Sequence, residues 1–291
     1  MVWLSSRWKI ALLVVPTLSV FTAFVVYPVL YSLYFSFTDY DGYGSAALNG
    51  VDNYRALFQD PFFWTSLGNT VVILVISLLV LIPGGFSLAL LLSRSFRGAS
   101  ILRALVFAPG IIAPILVGLI WVFLLDPKNG LVNRSLAILG LQGPQWIGGG
   151  WLGPVSITLV FIWSTLGFAM TLFYAGLRLV PADVLEASSI DGATSRQQVW
   201  HITVPMMRET FAITTVLLAT NVLKIFELVY QLTGGGPVHR SEVLVSYMYF
   251  ITFTTQRYGQ GMAFAILITV IGATVSLGYL VLLRRKGSRD A

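Results

Sequence analysis

The chain has 291 residues, of which 56% are hydrophobic and 10% charged, and its mean hydropathy is +0.82. This composition excludes a soluble globular protein and predicts a membrane protein with several spans. The net charge of +6 does not indicate nucleic-acid binding, because the basic residues form no face interleaved with aromatic residues, and the absence of cysteine excludes disulfides and thiolate chemistry.

Six apolar runs are each long enough to cross about 30 Å of hydrocarbon as a helix rising about 1.5 Å per residue. We place them near residues 10–34, 67–92, 104–125, 155–177, 210–232 and 261–283. Arg7 and Lys9 resemble the start of a signal peptide, but the run behind them is too long and has no small-residue cleavage site, so we expect an uncleaved span. The pattern predicts an all-α protein with six transmembrane helices, forming one transmembrane domain over residues 1–291.

The orientation is predicted from Lys and Arg, which are in excess in cytoplasmic connections. If the N-terminus is inside, the inner side carries Arg7, Lys9, Arg94, Arg97, Arg103, Arg178, Arg196, Arg208, Arg284, Arg285, Lys286 and Arg289. The outer side carries Arg55, Lys128, Arg134, Arg240 and Arg257, and Lys224 lies within the fifth run. This asymmetry predicts that both termini are cytoplasmic.

Two long connections, 38–66 and 126–154, fall outside in this topology, and the second contains the glycine cluster Gly148, Gly149 and Gly150. Because loops carry function disproportionately, two interpretations are open: docking surfaces for an extracytoplasmic protein, or solvated loops without a partner.

Helix-breaking residues lie inside two of the runs. Pro83, Gly84 and Gly85 lie in the second run, and Pro109, Gly110 and Pro114 lie in the third. Breaks within lipid persist only where neighbouring helices or a wet cavity satisfy the backbone, so they indicate either a translocation path or kinked packing.

The segment 181–205 is a polar interruption between apolar runs. Pro181 and Asp183 are typical of a helix start, and Gly192 is typical of a helix end. Ser195 with Gln198 three residues later predicts a capping box that opens a second helix reaching Pro205. We therefore predict a cytoplasmic hairpin of two helices that a partner protein can contact.

The fifth run is the one that contains charged residues, Lys224 and Glu227, together with Asn221. Charges inside a membrane are costly and usually face a bundle interior or a wet cavity. A spacing of three predicts that Lys224 and Glu227 share one helix face. A polar lining for a hydrophilic solute is one interpretation, and a self-neutralising or snorkelling pair is the other.

Aromatic residues of the spans have two interpretations as well. Trp121, Trp163, Phe226 and Tyr230 could stack on sugar rings if they face inward, whereas aromatics in such spans commonly pack or anchor the helix at the interface.

The chain lacks the groups that catalysis, cofactor binding or metal binding would need. The two histidines, His201 and His239, have no metal-ligand spacing, and Gly234-Gly235-Gly236-Pro237 lacks the Lys-Ser/Thr ending of a nucleotide-binding loop. We predict that the chain is not an enzyme and binds no ATP itself. Energy for transport would then enter through a partner at the hairpin.

The hairpin also carries a motif that resembles a known family. Glu186-Ala187-Ser188, three residues, Gly192, nine residues and Ile202-Thr203-Val204-Pro205 resemble the E-A-A-x3-G-x9-I-x-L-P signature of bacterial binding-protein-dependent ABC importer permeases. Ser188 replaces the usual alanine and Val204 the usual leucine, both mild departures.

Further landmarks resemble the carbohydrate branch of this family, of the maltose-system F and glycerol-3-phosphate-system A type, over nearly the whole chain. They are Asn53-Tyr54, Asn69-Thr70, Asp126 to Asn133, Ile190 to Ala193, and Leu232 to Pro237.

The resemblance implies a type I ABC importer permease in a bacterial inner membrane. It implies a second, non-identical permease, two ATPase subunits that hold ATP and Mg²⁺, an extracytoplasmic solute-binding protein and a sugar substrate. It also implies that a helix at about 183–191 sits in a cleft of the ATPase, with Glu186 meeting a basic group there. The coupling residues would be Asp183, Glu186, Ala187, Ser188, Ile190, Asp191, Gly192, Ala193 and Pro205, and the candidate substrate path Asn221, Lys224, Glu227 and Tyr230.

The sequence thus predicts a permease subunit of an ATP-driven sugar importer. A permease for a non-sugar solute such as glycerol phosphate, an ion-gradient-driven secondary transporter and a membrane-embedded enzyme are the alternatives. The last two would require coupling-ion ligands or a catalytic constellation, which we do not find.

Overall fold

The structure, a computed structural model, describes residues 7–94, 96–148 and 150–287. Of the residues used above, Gly149 and Arg289 lie outside the described residues, as do the side chains of Arg7, Lys9, Arg284, Arg285 and Lys286. Within the described ranges the fold is helical, and the one β-bridge joins Thr38 to Leu48.

The helices follow one another along the chain, with the longer connections at 36–51, 139–151 and 233–243. They are α1 (Arg7–Phe21), α2 (Tyr27–Phe35), α3 (Asp52–Gln59), α4 (Pro61–Ser93), α5 (Ala99–Phe107), α6 (Pro114–Leu124), α7 (Leu131–Ile138), α8 (Leu152–Leu177), α9 (Ala182–Ile190), α10 (Ser195–Gln198), α11 (Val204–Met206), α12 (Arg208–Leu223), α13 (Glu227–Leu232), α14 (Leu244–Tyr249) and α15 (Tyr258–Gly287). Short π-helical turns join α1 to α2, join α10 to α11 and follow α14, and a 3₁₀ turn follows α5.

Four helical segments are long and apolar enough to cross a membrane: Leu12–Phe35, Pro61–Ser93, Leu152–Leu177 and Tyr258–Gly278. They overlap the first, second, fourth and sixth predicted runs. Two further candidates are bent pairs, Ala99–Ile111 with Pro114–Leu124 at 96° and Ser195–Met206 with Arg208–Leu223 at 68°. By length and composition, the described chain therefore has four helical segments able to cross a membrane, and up to six if each bent pair is one span.

The chain divides into two compact units, the first formed by residues up to 61 and residues 248–270. In this unit Asn53 donates from Nδ2 to the carbonyl oxygens of Ser36 and Thr38, both at 2.8 Å. The Tyr54 hydroxyl lies 2.7 Å from Ser36 Oγ. The landmark pair Asn53-Tyr54 thus ties α3 to the chain that follows α2.

The second unit comprises residues 62–247 and those from 271 onward. Its α4 runs as one helix through Pro83, so of the two interpretations of this run the structure favours packing over a break. Glycine at position 85 allows close packing on α8, because a Cβ there would lie 2.9 Å from Ala169 Cβ. The small residues let the two helices approach closely, as is common between membrane helices.

The third run is broken where the sequence indicates. Helix α5 ends at Phe107, residues 108–111 form a 3₁₀ turn, and α6 starts at Pro114 after the 96° bend. Helix α5 crosses α8 at Gly167, where a Cβ would lie 2.3 Å from the Val106 carbonyl oxygen.

The fifth run is not one helix, which corrects the prediction of a continuous span over 210–232. Helix α12 ends at Leu223, Phe226 has φ −140° and ψ −64°, and α13 begins at Glu227. The reason lies in packing: α13 lies against α6, where a Cβ on Gly118 would be 2.9 Å from Gln231 Cβ.

Candidate coupling hairpin and solute cavity

Helix α9 is the first half of the hairpin, and it presents most of its surface to solvent. It starts after Pro181, which is extended at φ −63° and ψ 133°, so proline precedes the helix rather than occupying its first position. Asp183 lies in the first turn, where a carboxylate favours the helix dipole. Glu186 is exposed and has no ion-pair partner among the described residues, and Ile190 is 87% exposed.

Gly192 ends α9 in the way the sequence indicates. Its φ is +81°, in the left-handed region that suits glycine. The amide of Gly192 donates to the Ser189 carbonyl at 3.1 Å, and that of Ala193 to the Ser188 carbonyl at 3.0 Å. These two bonds form a Schellman motif with Asp191 as the C-cap, and they turn the chain sharply.

The second hairpin helix begins one residue earlier than predicted. Thr194, not Ser195, is the N-cap, and its capping box is formed with Gln197. The Thr194 amide donates to Gln197 Oε1 at 2.8 Å, and the Gln197 amide donates to Thr194 Oγ1 at 3.4 Å. Thr194 with Gln197 and Ser195 with Gln198 both fit the capping-box pattern. Thr194 is the N-cap because its backbone is extended, as an N-cap residue requires.

Because the capping box uses Gln197, the side chain of Gln198 is available to connect the two helices. Its Nε2 donates to the Leu185 carbonyl at 3.2 Å, to Ser188 Oγ at 3.0 Å and to Ser189 Oγ at 2.8 Å. Since Nε2 carries two hydrogens and has three acceptors, one hydrogen is shared between two of them. Ser188, where the family signature usually has alanine, is thus an acceptor in this contact.

The hairpin continues without interruption into the core. Residues 195–206 are helical through a π turn at Val199–Thr203, and Pro205 lies in α11 just before the bend at Met207. Met207 is 2% exposed and packs in an apolar cluster that includes Phe86 and Phe173. The polar hairpin is therefore anchored at one end to buried packing between α4 and α8.

A cavity of about 460 Å³ lies beside the break in the fifth run. Its wall includes Asn221, Lys224 and Glu227 of the predicted substrate path, and Pro109, Gly110 and Pro114 of the broken third run. The breaks in the third and fifth runs therefore border a cavity, the setting in which interrupted helices are tolerated within a membrane.

The predicted relation between Lys224 and Glu227 is wrong. They do not share a helix face, because α12 ends between Asn221 and Lys224 and α13 begins at Glu227. Nor do they form an ion pair among the described residues. Both side chains are exposed and line the cavity independently, so the self-neutralising interpretation does not hold.

The aromatic candidates do not line this cavity. Tyr230 is 51% exposed, and its ring lies 5.5 Å from that of Phe226. Trp121 and Trp163 contact each other edge-to-face at 5.4 Å, a packing arrangement. Residues that the sequence reasoning missed take their place in the wall: Phe107, Phe161, Phe168, Ser164 and Thr165. No local pattern distinguishes them, although the neighbouring breaks at Pro109 and Pro114 mark the region.

A buried carboxylate near the loop between α13 and α14 was also missed. Glu242 is 4% exposed, lies 3.2 Å from His239 Nδ1 and accepts a short hydrogen bond from Ser246. Asn69 donates from Nδ2 to the carbonyl oxygens of Arg240 and Glu242, both at 2.8 Å. A Cβ on Gly235 would lie 2.0 Å from Glu242 Oε1, so the glycine run encloses this carboxylate.

Comparison with known proteins agrees with this geometry. Residues 81–288 match the family described as "Binding-protein-dependent transport system inner membrane component". The chain is 32% identical over 271 residues to the probable ABC transporter permease protein YurN of Bacillus subtilis, covering 91% of this chain and 92% of that protein. It is 30% identical over 290 residues to the sulfoquinovosyl glycerol transport system permease protein SmoG of Agrobacterium fabrum, covering 97% and 92%.

Among solved structures, the chain is similar to one in the bacterial alginate ABC transporter in complex with its alginate pentasaccharide-bound periplasmic protein. The TM-score is 0.84 at 25% identity, covering 96% of this chain and 94% of that chain. The fold is that of a type I ABC importer permease, which confirms the predicted fold class.

The fold and the comparisons define a permease subunit of an ABC importer. The chain belongs to the family of binding-protein-dependent transport system inner membrane components. It is a transport subunit in the inner membrane and not an enzyme, and it works with a solute-binding protein. This assignment confirms the resemblance and sets aside the secondary transporter and the membrane-embedded enzyme.

Proposed function

We propose that this chain moves a sugar or sugar-like solute inward by alternating access, and that ATP hydrolysis on partner subunits drives it through the hairpin 181–205. The observation that carries the proposal is that exposed α9 is joined through Gln198 to the helical residues 195–206, which lead to buried Met207. A helix that is braced at one end and exposed at the other transmits a rigid-body movement of a docked partner.

The assembly we infer contains this chain, a second and non-identical permease, two ATPase subunits that hold ATP and Mg²⁺, and an extracytoplasmic solute-binding protein. The six predicted runs would each cross the membrane once within a single permease domain over 1–291, with the two bent pairs as the third and fifth spans. Both termini and the hairpin would then lie in the cytoplasm, in accord with the distribution of Lys and Arg.

Docking would use the exposed surface of α9. Glu186 offers a carboxylate without a partner in the described chain, and Ile190 offers an exposed apolar side chain of the kind a partner covers. Asp183, Ala187 and Asp191 are further exposed positions, while Ser188, Gly192, Ala193 and Pro205 would fix the shape of the hairpin.

Glu186→Gln and Gly192→Ala test the coupling role. We expect each to lower solute uptake in the assembled transporter by roughly tenfold, because a hydrogen bond to a charged group contributes about 1.5–3 kcal/mol and a left-handed alanine costs about 1–2 kcal/mol. Uptake and ATPase activity would be measured together in proteoliposomes.

Matched controls separate docking from a general loss of stability. Glu209→Gln removes an exposed acid outside the hairpin, and Gly140→Ala places alanine at a φ of +75° with nothing within 4 Å, the same conditions as at Gly192. Both controls should transport normally. Equal uptake in the hairpin variants and their controls would refute the coupling role.

The sugar class is supported by the relatives, since one is described as a sulfoquinovosyl glycerol permease and another belongs to an alginate importer. The cavity suits such a solute because aromatic faces (Phe161, Phe168) and polar groups (Asn221, Ser164) lie in one wall. Lys224→Met and Asn221→Ala should alter uptake while leaving ATPase docking intact. Lys128→Met, an exposed loop lysine, is the matched control.

Lys224 also favours a second candidate, an anionic solute such as a glycerol phosphate. Its ammonium group lines the cavity without an ion-pair partner among the described residues. If the solute is anionic, Lys224→Met should abolish its uptake and Glu227→Gln should preserve it. A neutral sugar would show a smaller response to Lys224→Met, so the pair of variants separates the two substrate classes.

A further inference from the structure

A second cavity, of about 950 Å³, lies where the ends of α4 and α8 meet the hairpin. We call it the arginine pocket, because Arg94, Arg178 and Arg196 lie in its wall. Arg94 follows α4, Arg178 caps α8, and Arg196 belongs to α10. Three separate elements therefore bring cationic side chains to one cavity.

A fourth arginine extends this cationic region. Arg103 and Arg178 both donate to the Tyr174 hydroxyl oxygen, the second at 2.8 Å. Their guanidinium carbons lie 4.7 and 5.3 Å from the Tyr174 ring centroid. Tyr174 thus holds two guanidinium groups close together. Its hydroxyl oxygen accepts their hydrogen bonds but is not a carboxylate that would balance their charge.

No carboxylate of the described chain balances these charges. The ion pairs within the described residues join Arg55 to Asp52 and His239 to Glu242, and the wall of the arginine pocket contains no acidic residue. Guanidinium groups suit phosphate oxygens because their fixed N–H donors match them bidentately. The pocket therefore has the charge and the donors to bind a phosphate group.

The rest of the wall indicates which kind of phosphate. Leu90, Leu91, Leu177, Val180 and Val199 make much of it apolar. Ser87, Ser93 and Ser195 add hydroxyl groups near the arginines. A free phosphate ion would make no contact with the apolar part of the wall, whereas a phospholipid has both a phosphate and hydrocarbon chains.

The position of the pocket fits a lipid as well. Leu90 and Leu91 lie in the last turn of a helix of membrane-spanning length, with Leu91 57% exposed. Basic pockets at the ends of membrane helices are typical sites for anionic headgroups. We propose that the arginine pocket binds the phosphate of an anionic phospholipid, with its acyl chains against the end of α4. Because Ala182, Leu185 and Gln198 also line the pocket, the lipid would contact the hairpin at its base.

The test uses the assembled transporter in vesicles of phosphatidylcholine with phosphatidylglycerol, followed by native mass spectrometry of retained lipid. Arg94→Gln with Arg196→Gln should reduce retained phosphatidylglycerol by roughly a hundredfold, since two charge-assisted contacts are lost. The matched control, Arg134→Gln with Arg257→Gln, removes the same charge from exposed positions outside the pocket and should retain it. Arg94→Lys with Arg196→Lys keeps the charge but loses the bidentate donors, so it should restore part of the binding, which excludes misfolding as the cause.

Equal retention in the pocket variant and its control would overturn the proposal. So would displacement of the bound lipid by inorganic phosphate at an equal concentration, because the pocket would then be a free-anion site. A third contrary outcome is crosslinking of Arg94→Cys to an ATPase subunit with no lipid retained in the same complex. These readouts do not depend on solute uptake, so the lipid site and the coupling role of α9 can fail separately.

Discussion

Helices α9 and α13 are both short, nine and six residues, and both lie beside a sharp turn of the chain, yet different forces hold them. Helix α9 buries no residue and is held by Gly192 and by Gln198. Helix α13 buries Leu228, Val229 and Leu232 and packs on α6. The comparison shows that the hairpin is built from local interactions and leaves its surface free for a partner, whereas the cavity wall is built from tertiary packing.

The largest expected effect is on the packed helix. Gly118→Val would place side-chain atoms against Gln231 and the Leu228 carbonyl, and overpacking of this kind costs about 1–3 kcal/mol. We expect a lower melting temperature of the purified complex and a changed cavity beside Lys224. Gly84→Ala is the control, because its Cβ would make only an ordinary 3.5 Å contact with Leu166. A Gly118→Val complex as stable as the control would contradict close packing of α6 on α13.

A smaller effect is expected at the contact between the hairpin helices. Gln198→Ala removes both donors that reach α9, at a cost of about 1–2 kcal/mol. Amide hydrogen exchange in α9 should accelerate by roughly fivefold or more, and uptake per ATP hydrolysed should fall. Ser188→Ala should have less effect because Gln198 keeps two acceptors, and the exposed Gln142→Ala serves as a control. Unchanged exchange in α9 would show that Gln198 does not brace it.

The smallest effect distinguishes the observed helix start from the predicted one. Thr194→Ala removes the cap and should destabilise the start of α10 by about 1 kcal/mol. Ser195→Ala, one residue later, should change stability by only a few tenths of that, because its side chain makes no capping bond. Exchange rates of the Gln197 and Gln198 amides report the difference. A larger effect at Ser195 would favour the frame expected from the sequence.

Where local chemistry decides the structure, the sequence was informative. The hairpin was expected at 181–205 with a stop at Gly192, and the structure places α9 at Ala182–Ile190 with that stop. The capping box was off by one residue, because Thr194 with Gln197 and Ser195 with Gln198 satisfy the same rule. Neighbouring polar residues of similar capping strength cannot be separated without the backbone angles.

Where packing decides the structure, the sequence was less reliable. Pro83 and Gly85 suggested either a break or kinked packing, whereas α4 is continuous and Gly85 lies in close contact with Ala169. The run 210–232 suggested one helix, and Lys224 and Glu227 then suggested a shared face. Neither the residue types nor the hydrophobic periodicity reveals that α13 turns toward α6. The apolar residues of α13 are the same ones that a straight span would pack against neighbouring helices.

The sequence by itself determined the class of this protein: an all-α membrane permease, with the polar hairpin whose motif identifies the ABC importer family. These follow from composition, from hydrophobic length and from residue types with a local effect, such as Gly192. Only the tertiary structure decided which groups meet in the cavity beside Lys224, that Glu242 is buried beneath Gly235, and that arginines from three elements surround one pocket. The physical reason is that these arrangements depend on contacts between residues far apart in the chain, and those contacts are set by close packing rather than by local preference.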